Sequence, residues 1–551
     1  MVVYDRTTQL QRQKSDLFDL LIIGGGINGA VSAASLAARG AKVALIDQGD
    51  FASSTSQASS NLIWGGIKYL ESYEFPLVYK LCRSRNLLLK SYPSMIHQKR
   101  FFAPLEQGMG WKRSAPILAI GTWIYWLFGA GKTRPPTYLN LASMQQKEPF
   151  LNLNHCNSGI EYSDAMIVEH DARFVFHFIR SAIRAGAAVA NYVHSRQSIQ
   201  QEDGLWQTKV QDLRGGEEYL LRSKVVINAA GPYVDGVNRS NQIGTKTHHL
   251  FSKGIHLVVK KFTKQDHIMA FFDNGGRLFF VIPLGTVSII GTTDTPHVTP
   301  DSSVTDQDRD YVLDNINQKF TLTSPLTRQD IIAERCGVRP LVVDSPPPER
   351  EADLGQAKGG DWFKLSRKHC LEVDDKRNYI SIFGGKLTDC LNIGEEVFAA
   401  CRKLGVDLRQ GQWFGGELYH QQRRFYALAD QHNLESFARG KGDLFEPLKD
   451  RWWRRYQLDA FDLLDRLLKD KERQQVYIRG GGYPTCELEF VREREMVVTL
   501  EDFLRRRTRS ELVIGKKGLQ EDPDILEVAK ILFPDNYQAE YDRYFDLDSK
   551  R

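Results

Sequence analysis

The chain has 551 residues, of which 42% are hydrophobic and 26% charged, a composition typical of folded globular proteins and not of disordered or collagen-like ones. Its 73 lysines and arginines nearly balance its 68 aspartates and glutamates, and a net charge of +5 argues against a protein that depends on neutralising nucleic-acid phosphates. Because a single core stops growing at roughly 250–300 residues, the length predicts two or three domains.

Cysteine usage and the N-terminus indicate the compartment. The seven cysteines are scattered without a CxxC pair, which argues against a zinc or iron–sulfur site and against a disulfide scaffold. The first 16 residues contain no apolar stretch of the kind that secretory signals carry. We therefore expect a cytoplasmic protein without a metal site.

Residues 114–131 form one uncharged run, rich in aromatic side chains and flanked by Lys112, Arg113 and Lys132. A membrane-spanning helix needs about 20 apolar residues, whereas this run has 18 and contains Pro116 near its start. A helix at the membrane interface and a helix packed in the core both fit the composition. Spanning is disfavoured, because the motifs on either side of the run belong to one folded unit.

A nucleotide-binding pattern follows the first apolar strand. Gly24, Gly26 and Gly29 form GxGxxG, which is followed by a helix-compatible stretch at 30–38 and by a second strand that ends in Asp47. Glycines at these places allow a tight turn, the approach of a pyrophosphate and close helix–strand packing, and the helix N-terminus favours phosphate. Asp47 is placed to accept a hydrogen bond from a ribose hydroxyl. The order of these features predicts a dinucleotide-binding βαβ unit.

The stretch after this unit, residues 52–66, is dense in serine, threonine and glycine. Such a segment suits a path along a flavin, to which hydroxyl and backbone groups would donate hydrogen bonds. A flexible serine-rich linker is the alternative that composition alone favours. The βαβ unit by itself does not distinguish FAD from NAD.

Further motifs occur in order along nearly the whole chain. They are DLLIIGGGINGA (19–30), STSQASSNLIWGGIKYLESYEF (54–75), NAAGPYVD (228–235), GTTDTP (291–296), GVRPL (337–341), SIFGGKLTD (381–389) and EMVVTLEDFLRRRT (495–508). Together they resemble the FAD-dependent, aerobic-type glycerol-3-phosphate dehydrogenase family. Ordered motifs over such a length are far more specific than any one of them.

The resemblance implies an α/β FAD-binding domain of the Rossmann-like, glutathione-reductase-like type, an α+β substrate domain and a C-terminal all-α domain. We assign residues 16–75, 150–240 and 376–398 to a discontinuous FAD-binding domain. Residues 76–149 and 241–375 form the predicted substrate domain, and residues 399–551 form the predicted helical domain.

The resemblance also implies an activity. A protein of this family binds FAD, oxidises sn-glycerol 3-phosphate, a small phosphorylated polyol, to dihydroxyacetone phosphate, and passes the electrons to membrane quinone, or to oxygen in the oxidase branch. We therefore expect a cytoplasmic protein associated peripherally with the inner face of the cytoplasmic membrane. Whether the protein forms a homodimer is left open.

The motifs and the resemblance together predict the cofactor contacts. Strand-to-glycine turns suit this role because a bulky side chain there would block a cofactor, although an ordinary turn is the alternative. The predicted FAD-binding residues are Gly24, Gly26, Asn28, Gly29, Asp47, Thr55, Ser56, Ser59, Ser60, Gly65, Gly66, Gly231, Gly385, Lys386, Leu387 and Thr388.

Three residues are predicted to act on the substrate. His256 lies on an alternating strand and is a candidate base, since a neutral imidazole accepts a hydroxyl proton; a histidine of the core is the alternative. Arg339 lies in an apolar segment and needs an anion, either a substrate phosphate or a structural carboxylate. Lys386 is either a cation beside the flavin or a surface lysine. The predicted substrate-binding residues are Trp64, Lys68, Tyr69, Thr293, Arg339 and Arg367.

The chain departs from the family pattern within one segment. The family usually reads HGGLRYLE where this chain has WGGIKYLE, so that Trp64 replaces a histidine and Lys68 an arginine, while Asn61 stands where a lysine is usual. An indole has no acceptor nitrogen, and lysine lacks the two-pronged grip of arginine on phosphate. Either His256 removes the proton, or the pocket serves a different hydroxy or amino substrate, or catalysis is impaired.

Two basic segments lie in the C-terminal region. Residues 451–455, RWWRR, suit either one helix face with buried tryptophans or a contact with anionic lipid. Residues 505–507 are predicted to form a solvated or salt-bridged helix face.

Overall fold

The computed structural model describes residues 4–106, 114–273, 276–344, 369–416, 418–437, 446–471 and 474–547. The strands are β1 (Leu17–Ile23), β2 (Val43–Ile46), β3 (Leu62–Ile63), β4 (Ile96–Glu106), β5 (Thr137–Leu139), β6 (Cys156–Ile167), β7 (Ala188–Ala190), β8 (Val193–Gln200), β9 (Trp206–Asp212), β10 (Glu218–Asn228), β11 (His248–Lys260), β12 (Ile268–Phe272), β13 (Leu278–Leu284), β14 (Val287–Gly291), β15 (Thr295–His297), β16 (Ile331–Val343), β17 (Cys370–Asp374), β18 (Tyr379–Phe383), β19 (Val476–Tyr477) and β20 (Tyr483–Pro484). The α-helices are α1 (Arg6–Ser15), α2 (Ile27–Ala38), α3 (Phe75–Ser91), α4 (Ala115–Phe128), α5 (Leu141–Lys147), α6 (Asp171–Arg184), α7 (Val234–Ser240), α8 (Asp306–Lys319), α9 (Cys390–Lys403), α10 (Tyr419–Gln431), α11 (Leu448–Tyr456), α12 (Ala460–Lys469), α13 (Thr485–Arg494), α14 (Ser510–Gln520), α15 (Asp524–Leu532) and α16 (Tyr537–Tyr544).

The first sheet has a parallel centre in the order β18, β10, β1, β2 and β7. Every residue of β1 from Leu20 to Ile23 is buried, as expected for a parallel strand whose two faces are both covered. Helix α2 packs against α6 and α9 on this sheet. Antiparallel strands complete it, because β17 pairs with β18 and β9 pairs with β10 and β8. The Rossmann-like α/β fold predicted from the sequence is confirmed.

The second sheet runs in the order β15, β11, β14, β13, β12, β4, β6 and β3, and its neighbours are antiparallel except for β12 with β4. Strands β13 and β14 form an antiparallel hairpin in this sheet. On the other side of β11, strand β16 places Arg339 opposite Ser252 and Arg335 opposite His256. The register of this pair therefore sets two arginines beside the candidate base.

Three strands lie in a different sheet from the one that the predicted segments imply. Strands β3 and β6 fall within the segments assigned to FAD binding but belong to the second sheet, whereas β17 falls within the substrate segment but extends the first. The residues of a strand indicate whether the strand is buried, but they do not indicate which sheet it joins.

The C-terminal helices α10 to α16 surround a core of their own, whose members include Phe425, Trp452, Leu464 and Phe490. All five residues 451–455 are buried, and the arginines among them pair with the carboxylates of Glu169, Glu446 and Glu487. The lipid contact considered for this segment is therefore wrong, and the segment is part of an internal helix.

Helix α4 covers most of the uncharged run but buries only Thr122 and Tyr125. The side chains of Ile120, Trp123 and Leu127 are 61%, 49% and 62% exposed. Across the described ranges, no helix combines the length and the apolar character that crossing a membrane requires.

Candidate cofactor and substrate site

The glycine motif forms the turn between β1 and α2. A Cβ atom on Gly24 would lie 2.5 Å from the carbonyl oxygen of Ala229, and one on Gly29 would lie 1.8 Å from that of Gly24. Gly24 also has a φ of +109°, a region that favours glycine. The strand, the turn and the helix therefore pack at backbone distance, as the motif predicts.

A cavity of about 470 Å³ opens at this turn. Gly26 is the N-cap of α2, and the N–H of Ile27 donates to Ser56 Oγ at 3.0 Å. The positive end of the helix dipole thus meets the cavity, which suits a pyrophosphate. Predicted cofactor residues in the lining are Gly24, Gly26, Asn28, Asp47, Thr55, Ser56, Gly231 and Gly385.

Asp47, at the end of β2, organises the loops around this cavity. Its two carboxylate oxygens accept hydrogen bonds from the N–H of Gly25 at 2.6 Å and from the N–H of Gly49 at 2.8 Å. Burial raises the pKa of Asp47 to about 7, while those two hydrogen bonds act in the opposite direction. A carboxyl group at this place also faces the position that a ribose takes in a dinucleotide-binding unit.

Two side chains hold the Gly384–Gly385 turn on the far wall. Asn28 Nδ2 donates to the carbonyl oxygen of Gly384 at 2.8 Å, and the N–H of Gly384 donates to His249 Nε2 at 2.9 Å. Asn28 Oδ1 is buried and has no hydrogen-bond partner among the described residues. A Cβ on Gly385 would come within 2.7 Å of that oxygen. The orphaned acceptor, the open helix end and the strand-end carboxyl group fit the predicted FAD. No sequence motif pointed to His249.

A second cavity, of about 320 Å³, adjoins the first, and Ile27, Thr55, Ser56, Gly337 and Gly385 line both. It brings together most of the remaining predicted residues, from the serine-rich segment, the second sheet and the SIFGGKLTD motif. Those in its lining are Ser59, Ser60, Trp64, Lys68, Tyr69, His256, Arg339, Lys386, Leu387 and Thr388. Arg367 lies outside the described residues.

His256 projects from β11 and is 1% exposed. Its Nε2 lies 2.8 Å from Ser60 Oγ, and its Nδ1 has no partner among the described residues. Burial, reinforced by the positive charges of Arg335 and Arg339, holds the pKa of His256 well below its ordinary value of 6.5. The imidazole is therefore neutral at physiological pH and has a lone pair with which to accept a proton.

Arg339 lies near a structural carboxylate and also lines the second cavity. Its Nη2 donates to Thr292 Oγ1 at 2.7 Å, and its Nη1 lies 3.5 Å from Asp294 Oδ1. A Cβ on Gly254 would lie 2.2 Å from Nη2, so the guanidinium rests on the glycine backbone of the neighbouring strand. Arg339 thus combines a nearby carboxylate with a face on the second cavity.

Thr292, and not Thr293, lines this cavity. Thr293 is 3% exposed, and its Oγ1 accepts a hydrogen bond from the N–H of Ile255 at 3.0 Å. The predicted substrate contact of Thr293 is corrected accordingly: its hydroxyl ties two neighbouring segments together, and only its backbone oxygen reaches Arg339. The motif places a threonine pair at the end of a strand but does not fix which member faces inward.

Lys386, Tyr69 and Trp64 form one wall of the cavity. Lys386 Nζ donates to the Tyr69 hydroxyl oxygen at 2.9 Å and lies 4.1 Å from the centre of that ring. The Trp64 ring packs against Tyr69 and Phe280 with centroid distances of 6.1 and 6.4 Å. Because Trp64 Nε1 donates to Tyr162 Oη at 3.4 Å, the indole contributes mainly apolar surface.

Gly65 and Gly66 line neither cavity, so the structure gives them a packing role in place of the predicted cofactor contact. The N–H of Gly65 donates to Asp164 Oδ1 at 3.2 Å, and a Cβ there would lie 2.3 Å from the Tyr125 hydroxyl oxygen. A Cβ on Gly66 would lie 2.6 Å from the Tyr69 ring.

Comparison with known proteins gives concordant matches. The family model described as FAD dependent oxidoreductase matches residues 19–359. The aerobic glycerol-3-phosphate dehydrogenase of Escherichia coli is 33% identical over 389 residues, which cover 68% of this chain and 72% of that protein. The enzyme of the same name from Bacillus subtilis is 28% identical over 92% of this chain and 89% of its own.

Solved structures show the same fold. The glycerol-3-phosphate dehydrogenase of Bacillus halodurans, complexed with FAD, aligns over 100% of this chain and 97% of its own with a TM-score of 0.74 and 23% identity. The L-alpha-glycerophosphate oxidase of Mycoplasma pneumoniae, also with FAD bound, aligns over 72% of this chain and 97% of its own with a TM-score of 0.53 and 17% identity.

Proposed function

The chain belongs to the family of FAD-dependent oxidoreductases that includes the aerobic glycerol-3-phosphate dehydrogenases, and from that premise we propose that it oxidises sn-glycerol 3-phosphate to dihydroxyacetone phosphate. The observation that carries the proposal is the second cavity, where a buried neutral histidine lies with several cations beside the dinucleotide cavity. FAD bound in the first cavity supplies the acceptor for the hydride that leaves carbon 2 of the substrate.

The first cavity's residues divide the work of holding FAD. The N-terminus of α2 and Ser56 would face the pyrophosphate, Asp47 would accept hydrogen bonds from the ribose hydroxyls, and Asn28 and the Gly384–Gly385 turn would border the flavin. Thr55 and Ser59 add hydroxyl groups where the two cavities meet.

His256 is the proposed acceptor of the substrate's hydroxyl proton. Support comes from its neutral state, its burial and the contact with Ser60, which holds the ring in one orientation. The indole of Trp64 offers no acceptor nitrogen for this task, so the histidine usual at that position has no substitute there.

Lys68, Arg339 and Lys386 provide the positive environment that a phosphorylated substrate needs. Arg339 is held against Thr292 and Gly254 and therefore offers a fixed guanidinium to an oxygen of the substrate. Tyr69 positions the ammonium of Lys386. A contribution from Arg367 stays a prediction.

Membrane quinone is the proposed electron acceptor, and the inner face of the cytoplasmic membrane is the proposed location. Helix α4 supports both, because its exposed Ile120, Trp123 and Leu127 give it an apolar outer face of the kind that rests in the interfacial region of a bilayer. A homodimer stays a prediction of the resemblance.

Product analysis tests the proposal. The holoenzyme, incubated with sn-glycerol 3-phosphate and a soluble quinone, should form one dihydroxyacetone phosphate for each quinone reduced. Absence of that product at millimolar substrate would contradict the assigned substrate, and the same assay with hydroxy acids and amines would then identify the alternative class.

A further inference from the structure

An apolar cavity of about 250 Å³ lies beside the substrate cavity and has no role in the function proposed above. Helix α4 forms one side, and strands β4, β6 and β12 form the other. Its lining is largely aliphatic and includes Leu105, Ile117, Ile120, Ile160 and Ala270. A cavity of this character favours a hydrocarbon chain over a polar ligand.

Two side chains, Lys68 and Leu278, line both the apolar cavity and the substrate cavity. On one side of them lie His256, Arg339 and Lys386, and on the other side lies the aliphatic lining. A molecule that passed between Lys68 and Leu278 would therefore have an anionic head in one cavity and an apolar tail in the next.

Beside this border, the wall of the substrate cavity carries a large apolar side chain in this chain. Trp64 packs against Tyr69 and Phe280 on the substrate side, and it stands where the family usually has a histidine. The imidazole of that pattern would favour a polar group, whereas the indole favours carbon. With tryptophan in place of histidine at residue 64, the wall of the substrate cavity near Lys68 and Leu278 lacks a polar side chain that would disfavour an alkyl chain.

The apolar cavity also reaches the surface of the protein. Ile117 and Ile120 line it and are 38% and 61% exposed, so its opening lies along the outer face of α4. An amphiphilic molecule would enter from the same surface that the exposed apolar side chains of α4 form.

We propose that the site also accepts, and binds more tightly than sn-glycerol 3-phosphate itself, an amphiphilic glycerol phosphate with its phosphate and carbon 2 in the cationic cavity and its alkyl chain in the apolar one. The inference rests on the proposed function, and the reaction is the same oxidation at carbon 2. The C–H and O–H bonds at carbon 2 break and a C=O bond forms, the hydride goes to FAD, and the proton goes to His256.

The test compares three substrates by anaerobic bleaching of the flavin band, a readout that needs no electron acceptor. They are sn-glycerol 3-phosphate, its 1-hexyl ether and its hexyl phosphodiester, all below the concentration at which micelles form. One of the hexyl compounds should reach half-saturation at a concentration at least ~10-fold lower, which is about 1.4 kcal/mol and less than two buried methylene groups contribute. Whichever compound gains identifies the end of the head group that carries the tail.

Gly121 provides the matched variants. It lies in α4 and lines the apolar cavity, and a Cβ there would meet no heavy atom within 4 Å. Gly121→Phe should fill the cavity and remove the advantage of the hexyl compound, while half-saturation by sn-glycerol 3-phosphate changes less than twofold. Gly121→Ala, which changes helix propensity without filling the space, should keep the advantage.

Two results would overturn the inference. One is equal half-saturation by all three substrates, and the other is an advantage of the hexyl compound that Gly121→Phe leaves intact. Failure of every substrate, including sn-glycerol 3-phosphate, to bleach the flavin would instead contradict the proposed function, so the two failures are distinguishable.

Discussion

His256 Nε2 and Ser60 Oγ are 2.8 Å apart, although 196 residues separate them in the chain. The contact joins β11 to the serine-rich segment that lines the cofactor and substrate cavities. It fixes the orientation of a neutral imidazole at the place where the two cavities meet. The serine-rich segment is therefore a structural part of the site, and the flexible-linker alternative is wrong for it.

Replacement of His256 by alanine removes the proposed base. We expect His256→Ala to slow flavin reduction by sn-glycerol 3-phosphate by about 10²–10⁴-fold, the range that a general base contributes. Stopped-flow absorbance under anaerobic conditions measures this rate. Trp64→His is the matched control and should react as fast as the parent or faster. Full activity in His256→Ala would eliminate the assignment.

Arg339→Lys should weaken substrate binding while the flavin stays bound. Lysine keeps the charge but loses the planar fork that contacts Thr292 Oγ1 and faces the cavity, so KM should rise by about 10–100-fold, as losing a charge-assisted hydrogen bond implies. Steady-state kinetics with sn-glycerol 3-phosphate measures the change. A KM equal to that of the parent would show that Arg339 serves only the neighbouring Asp294.

Gly29→Ala should abolish retention of FAD. The added Cβ would lie 1.8 Å from the carbonyl oxygen of Gly24, so α2 would have to move away from the glycine turn. The ratio of flavin to protein absorbance in the purified protein gives the cofactor content. Gly236→Ala in α7, where a Cβ meets nothing within 4 Å, is the control and should keep a full complement. Full FAD content in Gly29→Ala would contradict the role given to this turn.

Asp50→Asn should destabilise the junction between the first sheet and the C-terminal helices. Arg507 grips both oxygens of the buried Asp50 at 2.7 and 2.8 Å, and Arg506 Nε donates to it at 2.8 Å. Removing one partner of a buried ion pair costs about 3–5 kcal/mol, so a large fall in Tm is expected. Glu527→Gln, which breaks an exposed pair with Lys530, should leave Tm unchanged. Equal Tm values for both variants would refute the buried-pair argument.

Acid should destabilise the folded protein because several buried histidines, including His170, His249 and His256, resist protonation. Burial lowers the pKa of His170 to about 3 and that of His249 to about 4. The unfolded chain binds protons at these residues below pH 6.5 while the folded protein does not. Each histidine therefore costs about 1.4 kcal/mol of stability for each full pH unit between 6.5 and its folded pKa. Tm should fall steadily from pH 6.5 to 5, and His170→Gln should flatten that slope. A Tm that is constant over this interval would contradict the assignment.

The cofactor half of the site could be predicted from the sequence because its signal is local. The glycine turn, α2, β2 and Asp47 follow one another within 24 residues, and the glycines of the turn are required for steric reasons. The signal of the β13–β14 hairpin is local too, since two apolar, strand-forming runs flank a short turn that contains Gly285.

The parts that sequence could not supply depend on distant partners. His249 accepts the N–H of Gly384 across 135 residues, and the buried Arg335 pairs with Asp171 across 164. Neither pair has a motif. The inward member of the threonine pair was missed because a one-residue change of phase reverses which side chain faces the cavity.

Anaerobic stopped-flow mixing of the oxidised holoenzyme with sn-glycerol 3-phosphate tests the central claim most directly, when glycerol is run alongside as the unphosphorylated control. The account predicts that the visible flavin band bleaches within seconds with sn-glycerol 3-phosphate and persists with glycerol at the same millimolar concentration. Persistence of the band with both compounds, or equal bleaching by both, would contradict a site built from His256, Arg339 and Lys386 for a phosphorylated polyol.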